Sequence, residues 1–286
     1  MKKKLVLSVL TVIAVLGFAT SRAQNAPGAI TDELKGIVAE INAKIQAGKT
    51  DEADFAGQFK KFDALLASHK NEKTDDVARV LFMKADLYIE VLNDPVKAQE
   101  TFRQLKSDFP DTKYGKDADR IISGLDKPVM LQKNRESLAV GKAFPDFTEN
   151  DFSGKPLSLS QYKGKVVLVD FWATWCTPCM REFPNTLKVY KKYHDQGFEI
   201  IGVSLDDDRA ELEKFLKENN VPWQQFYDGQ GRDNKLAVKY GADSPPAFYL
   251  LDRAGKIIRM DRYPDTVGQM RGDDLDAAVD AALKAK

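Results

Sequence analysis

Apolar positions along the chain recur with two different periods, and the change between them divides the sequence in two. From Ile30 to Ala47 the spacing of Ile37, Val38, Ile41 and Ile45 places one apolar stripe on a helix. Phe55, Phe59, Phe62, Leu65 and Leu66 predict a second helix. Thr74 or Asp75 is placed to cap a third, with Val77, Val80, Leu81, Ala85, Tyr88 and Ile89 turned inward. Asp94-Pro95 reads as an N-cap followed by a first-turn proline, opening a fourth helix through Phe102 and Leu105. A fifth runs from about Tyr114 to Gly124. Asp126 to Ser137, with Pro128 and mixed polarity, reads as a connection between domains. Beyond it the pattern changes. Val166–Phe171 and Phe198–Leu205 are short runs apolar on both faces, as buried strands are. Two such strands in parallel need a crossover, hence a βαβ unit. A turn over Asn150–Lys155 precedes them. After them come a helix through Phe215 and Leu216 capped at Asp206-Asp207-Asp208, and a short helix at Lys235–Tyr240. A hairpin then joins Ala247–Asp252 to Lys256–Met260 through Arg253-Ala254-Gly255, and a closing helix covers Asp273–Lys284.

The beginning of the chain has its own pattern. Lys2-Lys3-Lys4, the apolar run Leu5–Ala19 and the small-residue site Ser21-Arg22-Ala23 have the three parts of a secretory signal. The expectation is a leader over residues 1–23, cleaved after Ala23, and a periplasmic or envelope location. An uncleaved membrane anchor is the alternative, although the apolar run is short for a span. The remaining divisions are a helical domain over 28–126 and an α/β domain over 138–286. Lys and Arg total 43, as do Asp and Glu, so no charge excess points to nucleic acid.

The chemistry lies at one strand-to-helix junction. Both cysteines of the chain, Cys176 and Cys179, stand three residues apart after Val166–Phe171. In an exported protein a cysteine pair is commonly a staple, but so short a loop contributes little chain entropy. Thiol–disulfide exchange is the better account. At the first turn of a helix, free backbone N–H groups and the dipole favour a thiolate at Cys176. Cys179, one turn further in, is suited to resolve the mixed disulfide. Asp170 interrupts an apolar strand. Burial there raises its pKa and suits it to accept the Cys179 proton.

Phe171-Trp172-Ala173-Thr174-Trp175-Cys176-Thr177-Pro178-Cys179 resembles the thioredoxin active site, and most closely that of TlpA/ResA-type thiol–disulfide oxidoreductases of bacterial envelopes. The resemblance runs from about Val140 to the C-terminus. It implies an α/β thioredoxin fold, with Pro184 kinking the active-site helix and a cis-proline opposite the cysteines at Pro246. It also implies a substrate surface formed by Trp172, Trp175, Thr177, Pro178, Pro245 and Pro246, with Cys176 exposed to clients. In the family the residue before the cis-proline pairs with substrate backbone through both N–H and C=O. Pro245 has no N–H and can only accept. The implied partners are protein disulfides, apocytochromes among them, and a membrane thiol carrier as electron donor. Thr177-Pro178 tunes the reduction potential, which decides reductant against oxidant.

Upstream, Ala85, Tyr88, Ala98, Phe102, Leu105 and Pro110 resemble one tetratricopeptide-type repeat, with a slightly long turn at Asn93-Asp94-Pro95. That implies either a docking surface for a protein partner or a spacer. No cofactor is called for. His69 and His194, scattered over two domains, do not complete a zinc site with the cysteines. Two other functions compete: a copper- or partner-binding carrier using the thiolates, and a thiol peroxidase.

Overall fold

The structure, a computed structural model, describes residues 29–262 and 270–285. The leader expected at residues 1–23 lies outside them. No helix among the described residues is long and apolar enough to cross a membrane. The chain divides into two compact units, one ending at Val129 and one beginning at Met130.

Five helices build the first unit: α1 (Ala29–Gln46), α2 (Glu52–Ser68), α3 (Asp75–Glu90), α4 (Pro95–Asp108) and α5 (Lys113–Gly124). Their apolar stripes meet in one core containing Ile37, Ile41, Phe55, Phe62, Leu81, Phe102 and Leu105, while Val38 and Leu66 are only partly buried. Two of the helix starts are capped where the sequence placed them. Thr74 Oγ1 accepts the Val77 N–H at 3.4 Å, and Asp94 Oδ1 accepts the Lys97 N–H at 3.0 Å, each satisfying a donor that the first turn leaves free.

Asp126–Ser137 is a sixth helix, α6, rather than an open connection. Pro128 falls in its first turn, where a missing N–H costs nothing. Tertiary partners hold its second half. Leu131 is buried, Asn134 Nδ2 donates to the Val238 carbonyl (2.8 Å), and Arg135 Nε donates to the Gly241 carbonyl (3.1 Å).

In the second unit a small hairpin, β1 (Thr148–Asn150) with β2 (Pro156–Ser158), precedes a five-stranded sheet. Its strands are β3 (Val166–Trp172), β4 (Phe198–Ser204), β5 (Gln225–Phe226), β6 (Ala247–Leu251) and β7 (Ile257–Asp261), in the order β5-β4-β3-β6-β7. β3, β4 and β5 run parallel, whereas β6 is antiparallel to β3 and β7 to β6. Helices α7 (Thr177–Tyr193), α8 (Arg209–Glu218), α9 (Lys235–Tyr240) and α10 (Asp273–Lys284) complete the unit. On one face Val166 and Leu168 join a core with Val189, Tyr190 and Tyr193 of α7 and Leu275 and Val279 of α10. On the other, Val167, Val169 and Phe171 join Leu236, Ala237 and Tyr240 of α9. This is the thioredoxin fold, a mixed sheet with helices on both faces.

Candidate active site

β3 is buried at all seven positions, which fixes the strand's end and so the departure point of the cysteine loop. Phe171 pairs with Ala247 of β6 and Trp172 with Ser204 of β4. A turn closed by the Cys176 N–H on the Ala173 carbonyl (3.1 Å) carries the chain into α7. Cys176 is the N-cap of that helix, and its Sγ accepts the Cys179 N–H at 3.2 Å. The two sulfurs are joined in a disulfide, with Cα atoms 5.2 Å apart.

Both cysteines are buried, Cys176 4% and Cys179 5% exposed. The sequence implied a leading sulfur open to clients. In the disulfide state it is as enclosed as its partner, because it is bonded to Cys179 and belongs to the apolar cluster of Trp172, Ala173 and Ala247.

Asp170 sits inside β3, paired with Gly202 on one side and Phe248 on the other. Side chains alternate along a strand, so it shares the face of Val166 and Leu168, the face that packs on α7. Its carboxyl is pushed up to about 8, first by burial and then by the negative charge of Glu182 on α7. Asp170 Oδ1 is buried without a hydrogen-bond partner. Glu182 was not singled out in the sequence. Its Oε1 accepts the Gly272 N–H (2.8 Å) and the Asn185 amide (2.6 Å), which ties α7 to the start of α10.

The loop ahead of Cys176 is braced by Asp206. The sequence placed this residue among the capping carboxylates of the next helix, but Asp208 alone does that work, accepting from Ala210 and Glu211. Asp206 is 2% exposed. Its Oδ1 accepts the Thr174 N–H (3.0 Å) and hydroxyl (2.5 Å), and its Oδ2 accepts the Ser204 hydroxyl (2.7 Å). An apolar strand ending in an acid gave no sign of this, since the bonds join segments some thirty residues apart.

The residues implied as a substrate surface separate into two groups. Trp175 is 45% exposed. Its Nε1 donates to the Leu205 carbonyl (3.1 Å), and the Arg232 guanidinium lies 5.2 Å from its ring centroid. Thr177 is exposed and Pro178 half-buried, both in the first turn of α7. The Pro245–Pro246 bond is cis. Pro246 is buried, Pro245 half-buried, and the pair immediately precedes Ala247, the partner of Phe171 at the end of β3. Trp172 does not belong with them. It is 4% exposed, covered by Phe183 and Phe215, and its Nε1 donates to Gln225 Oε1 at 2.9 Å. Its place at the end of a central strand turns the indole into the core. His194 is at the far end of α7 from the cysteines, stacked on Tyr190.

Residues 140–260 match the model of the AhpC/TSA family. Among curated proteins, the thiol–disulfide oxidoreductase ResA of Bacillus thuringiensis subsp. konkukian is 33% identical over 135 residues, covering 47% of this chain and 76% of the relative. ResA of Bacillus subtilis is 32% identical over 126 residues, covering 44% and 69%. Among solved structures, the thioredoxin domain of a thiol–disulfide oxidoreductase from Bacteroides vulgatus is 34% identical, with a TM-score of 0.45, covering 51% of this chain and 99% of that one. A thiol:disulfide interchange protein from Bacteroides sp. is 35% identical, with a TM-score of 0.44, covering 52% and 93%.

Proposed function

The chain belongs to the ResA thiol–disulfide oxidoreductases, and on that premise we propose that its Cys176–Cys179 pair reduces disulfides of exported proteins in a bacterial envelope. The observation that carries this reading is the placement of the pair: Cys176 caps α7 and its sulfur receives a backbone N–H. That geometry stabilises a thiolate once the bond is open.

In the reduced protein the Cys176 thiolate attacks one sulfur of a client disulfide. The client S–S bond breaks, a mixed disulfide forms, and the departing client thiolate takes a proton from water. Cys179 then passes its proton to the Asp170 carboxylate and attacks Cys176 Sγ. The second client sulfur leaves, and two electrons have moved from the protein to the client. With its carboxyl raised to about 8 in the disulfide state, Asp170 holds that proton at neutral pH. It returns the proton to Cys179 when a donor thiolate reopens the bond. Trp175, Thr177, Pro178, Pro245 and Pro246 form the client-facing surface, with Pro245 accepting but not donating a main-chain bond. The leader over residues 1–23 directs export. A membrane thiol carrier supplies the electrons, apocytochromes are among the clients, and the helical unit offers a docking surface to a protein partner.

Insulin reduction with dithiothreitol tests the central claim. Cys176→Ser is expected to abolish it, and retained activity refutes the assignment. Cys179→Ser is expected instead to accumulate mixed disulfides, visible on a non-reducing gel.

A further inference from the structure

Asp170, Gly202 and Gln225 stand in one row across three parallel strands. Asp170 of β3 is the register partner of Gly202 in β4, and Gly202 is the partner of Gln225 in β5. Partners in register point to the same side of a sheet, so all three project toward α7. Neighbouring strands lie about 4.8 Å apart, so Gln225 begins about 10 Å from Asp170. Gly202 lets it close that gap. A Cβ on Gly202 would stand 2.0 Å from Gln225 Oε1 and 2.5 Å from Nε2, so the carboxamide lies directly over residue 202, beside the strand that carries Asp170.

The orientation of the amide is set by chemistry. Trp172 Nε1 is only a donor, and it bonds Gln225 Oε1 at 2.9 Å. The other end of the amide must therefore be the NH2 group. That Nε2 is buried without a partner, as is Asp170 Oδ1 in the same row. Gln225 is 4% exposed and Asp170 7%. A buried donor and a buried acceptor left open in one row of the sheet is a costly arrangement unless it is used at some stage of the cycle.

We infer that Gln225 is a positioning residue for the buried acid: its Nε2–H donates to the Asp170 carboxylate whenever that group is ionised, and lets go when Asp170 takes a proton, as it does from Cys179 during the cycle. Trp172 holds the amide from the other end, which gives this enclosed indole a role that a client-facing one does not have. The inference rests on the proton step assigned to Asp170 above. In the disulfide form, where neither sulfur titrates, Glu182 on α7 is the charged group that acts on that carboxyl; Gly202 and Phe248 beside it carry no charge, and Asp261, next in the row beyond Phe248, is paired with Arg271.

The test is the carbon-13 titration of the Asp170 carboxyl in the full disulfide-bonded protein, where neither sulfur titrates and no client is needed. Gln225→Met keeps the shape of the side chain and removes the donor. Without the donor the carboxylate is less favoured, so the midpoint is expected to rise by about one pH unit. Gly202→Ala leaves Gln225 in the chain but fills its slot, and is expected to move the midpoint in the same direction. The pH profile of insulin reduction is expected to shift with it. A merely structural role predicts the opposite sign, because a loosened core admits water and lowers the midpoint. An unchanged or lowered midpoint in Gln225→Met overturns the inference, as does a raised midpoint without a shift in the rate profile. Should the parent protein fail to reduce insulin at all, the proposed function falls while the carboxyl titration still reads the coupling.

Discussion

A carboxyl enclosed on a central strand makes folding itself depend on pH, and Asp170 sets the sign of that dependence. Its ordinary value is 3.8, and in the fold it is raised to about 8. Between these two the folded chain holds a proton that the unfolded chain has lost, so stability falls as pH rises through that window and is level outside it. Asp170→Asn cannot ionise. In urea denaturation of the disulfide form, the parent is expected to lose stability from pH 5 to pH 8 by a clear margin over the variant, which becomes the more stable of the two at pH 8. Equal pH slopes would mean that the carboxyl is not buried as described. Asp206 contributes through its hydrogen bonds instead, as an acceptor for the Thr174 N–H and the Thr174 and Ser204 hydroxyls. Asp206→Ala leaves buried donors without partners and is expected to cost about 2–3 kcal/mol in the same assay, and to slow insulin reduction because the loop before Cys176 loses its brace. Cys176, Cys179 and Asp170 could be singled out from the sequence because ten residues contain all three. Asp206, Gly202 and Gln225 could not, since their meaning depends on which strand lies beside which. Trp172 was misassigned for a related reason: an aromatic next to a motif looks like surface until the strand's end is known to be enclosed.

At the scale of the element, periodicity recovered what one helix face or one strand decides alone. α1 to α5 follow from apolar spacing and from caps at Thr74 and Asp94, and β3 and β4 from runs apolar on both faces. α6 was not legible because its sequence, Asp-Lys-Pro-Val-Met-Leu-Gln-Lys-Asn-Arg-Glu-Ser, has no sustained apolar stripe. Its partners are carbonyls at Val238 and Gly241, about a hundred residues further along the chain. Close approach of elements is equally hard to read from one chain. Gly115, in the first turn of α5, donates its N–H to Thr112 Oγ1 at 3.1 Å. A Cβ there would stand 2.0 Å from the Phe109 carbonyl oxygen, a backbone atom that cannot step aside. Gly115→Ala adds only a methyl to a helix, where alanine is ordinarily the better residue. It is nonetheless expected to destabilise the helical unit by about 3 kcal/mol, through displacement of α5 from the end of α4. Thermal unfolding followed by circular dichroism reads this; a stabilised variant would show that the two elements are less closely packed than described.

For the molecule as a whole, two separate cores imply that the redox unit folds and reacts without the helical one, provided it is cut in the right place. Sequence polarity puts the cut at 138, after the stretch read as a connection. The division at Met130 and the buried side chain of Leu131 argue for keeping α6. Gly241 makes the same point from the other side. It has φ +61°, and a Cβ on it would stand 2.7 Å from the Leu131 carbonyl oxygen, so this glycine is shaped to the helix lying on it. A fragment starting at 138 loses the apolar burial of Leu131 and the side-chain donors Asn134 and Arg135 to the Val238 and Gly241 carbonyls. One buried leucine and two hydrogen bonds amount to about 3–4 kcal/mol. Fragments 126–286 and 138–286 are therefore expected to differ by about that much in urea denaturation. Their insulin-reduction rates, measured per folded molecule, are expected to agree, since Cys176, Cys179 and Asp170 lie on β3 and α7, away from the missing helix. Equal stability of the two fragments would assign α6 to the helical unit instead. A loss of activity in the longer fragment would show that the helical unit takes part in the chemistry itself rather than in choosing the partner.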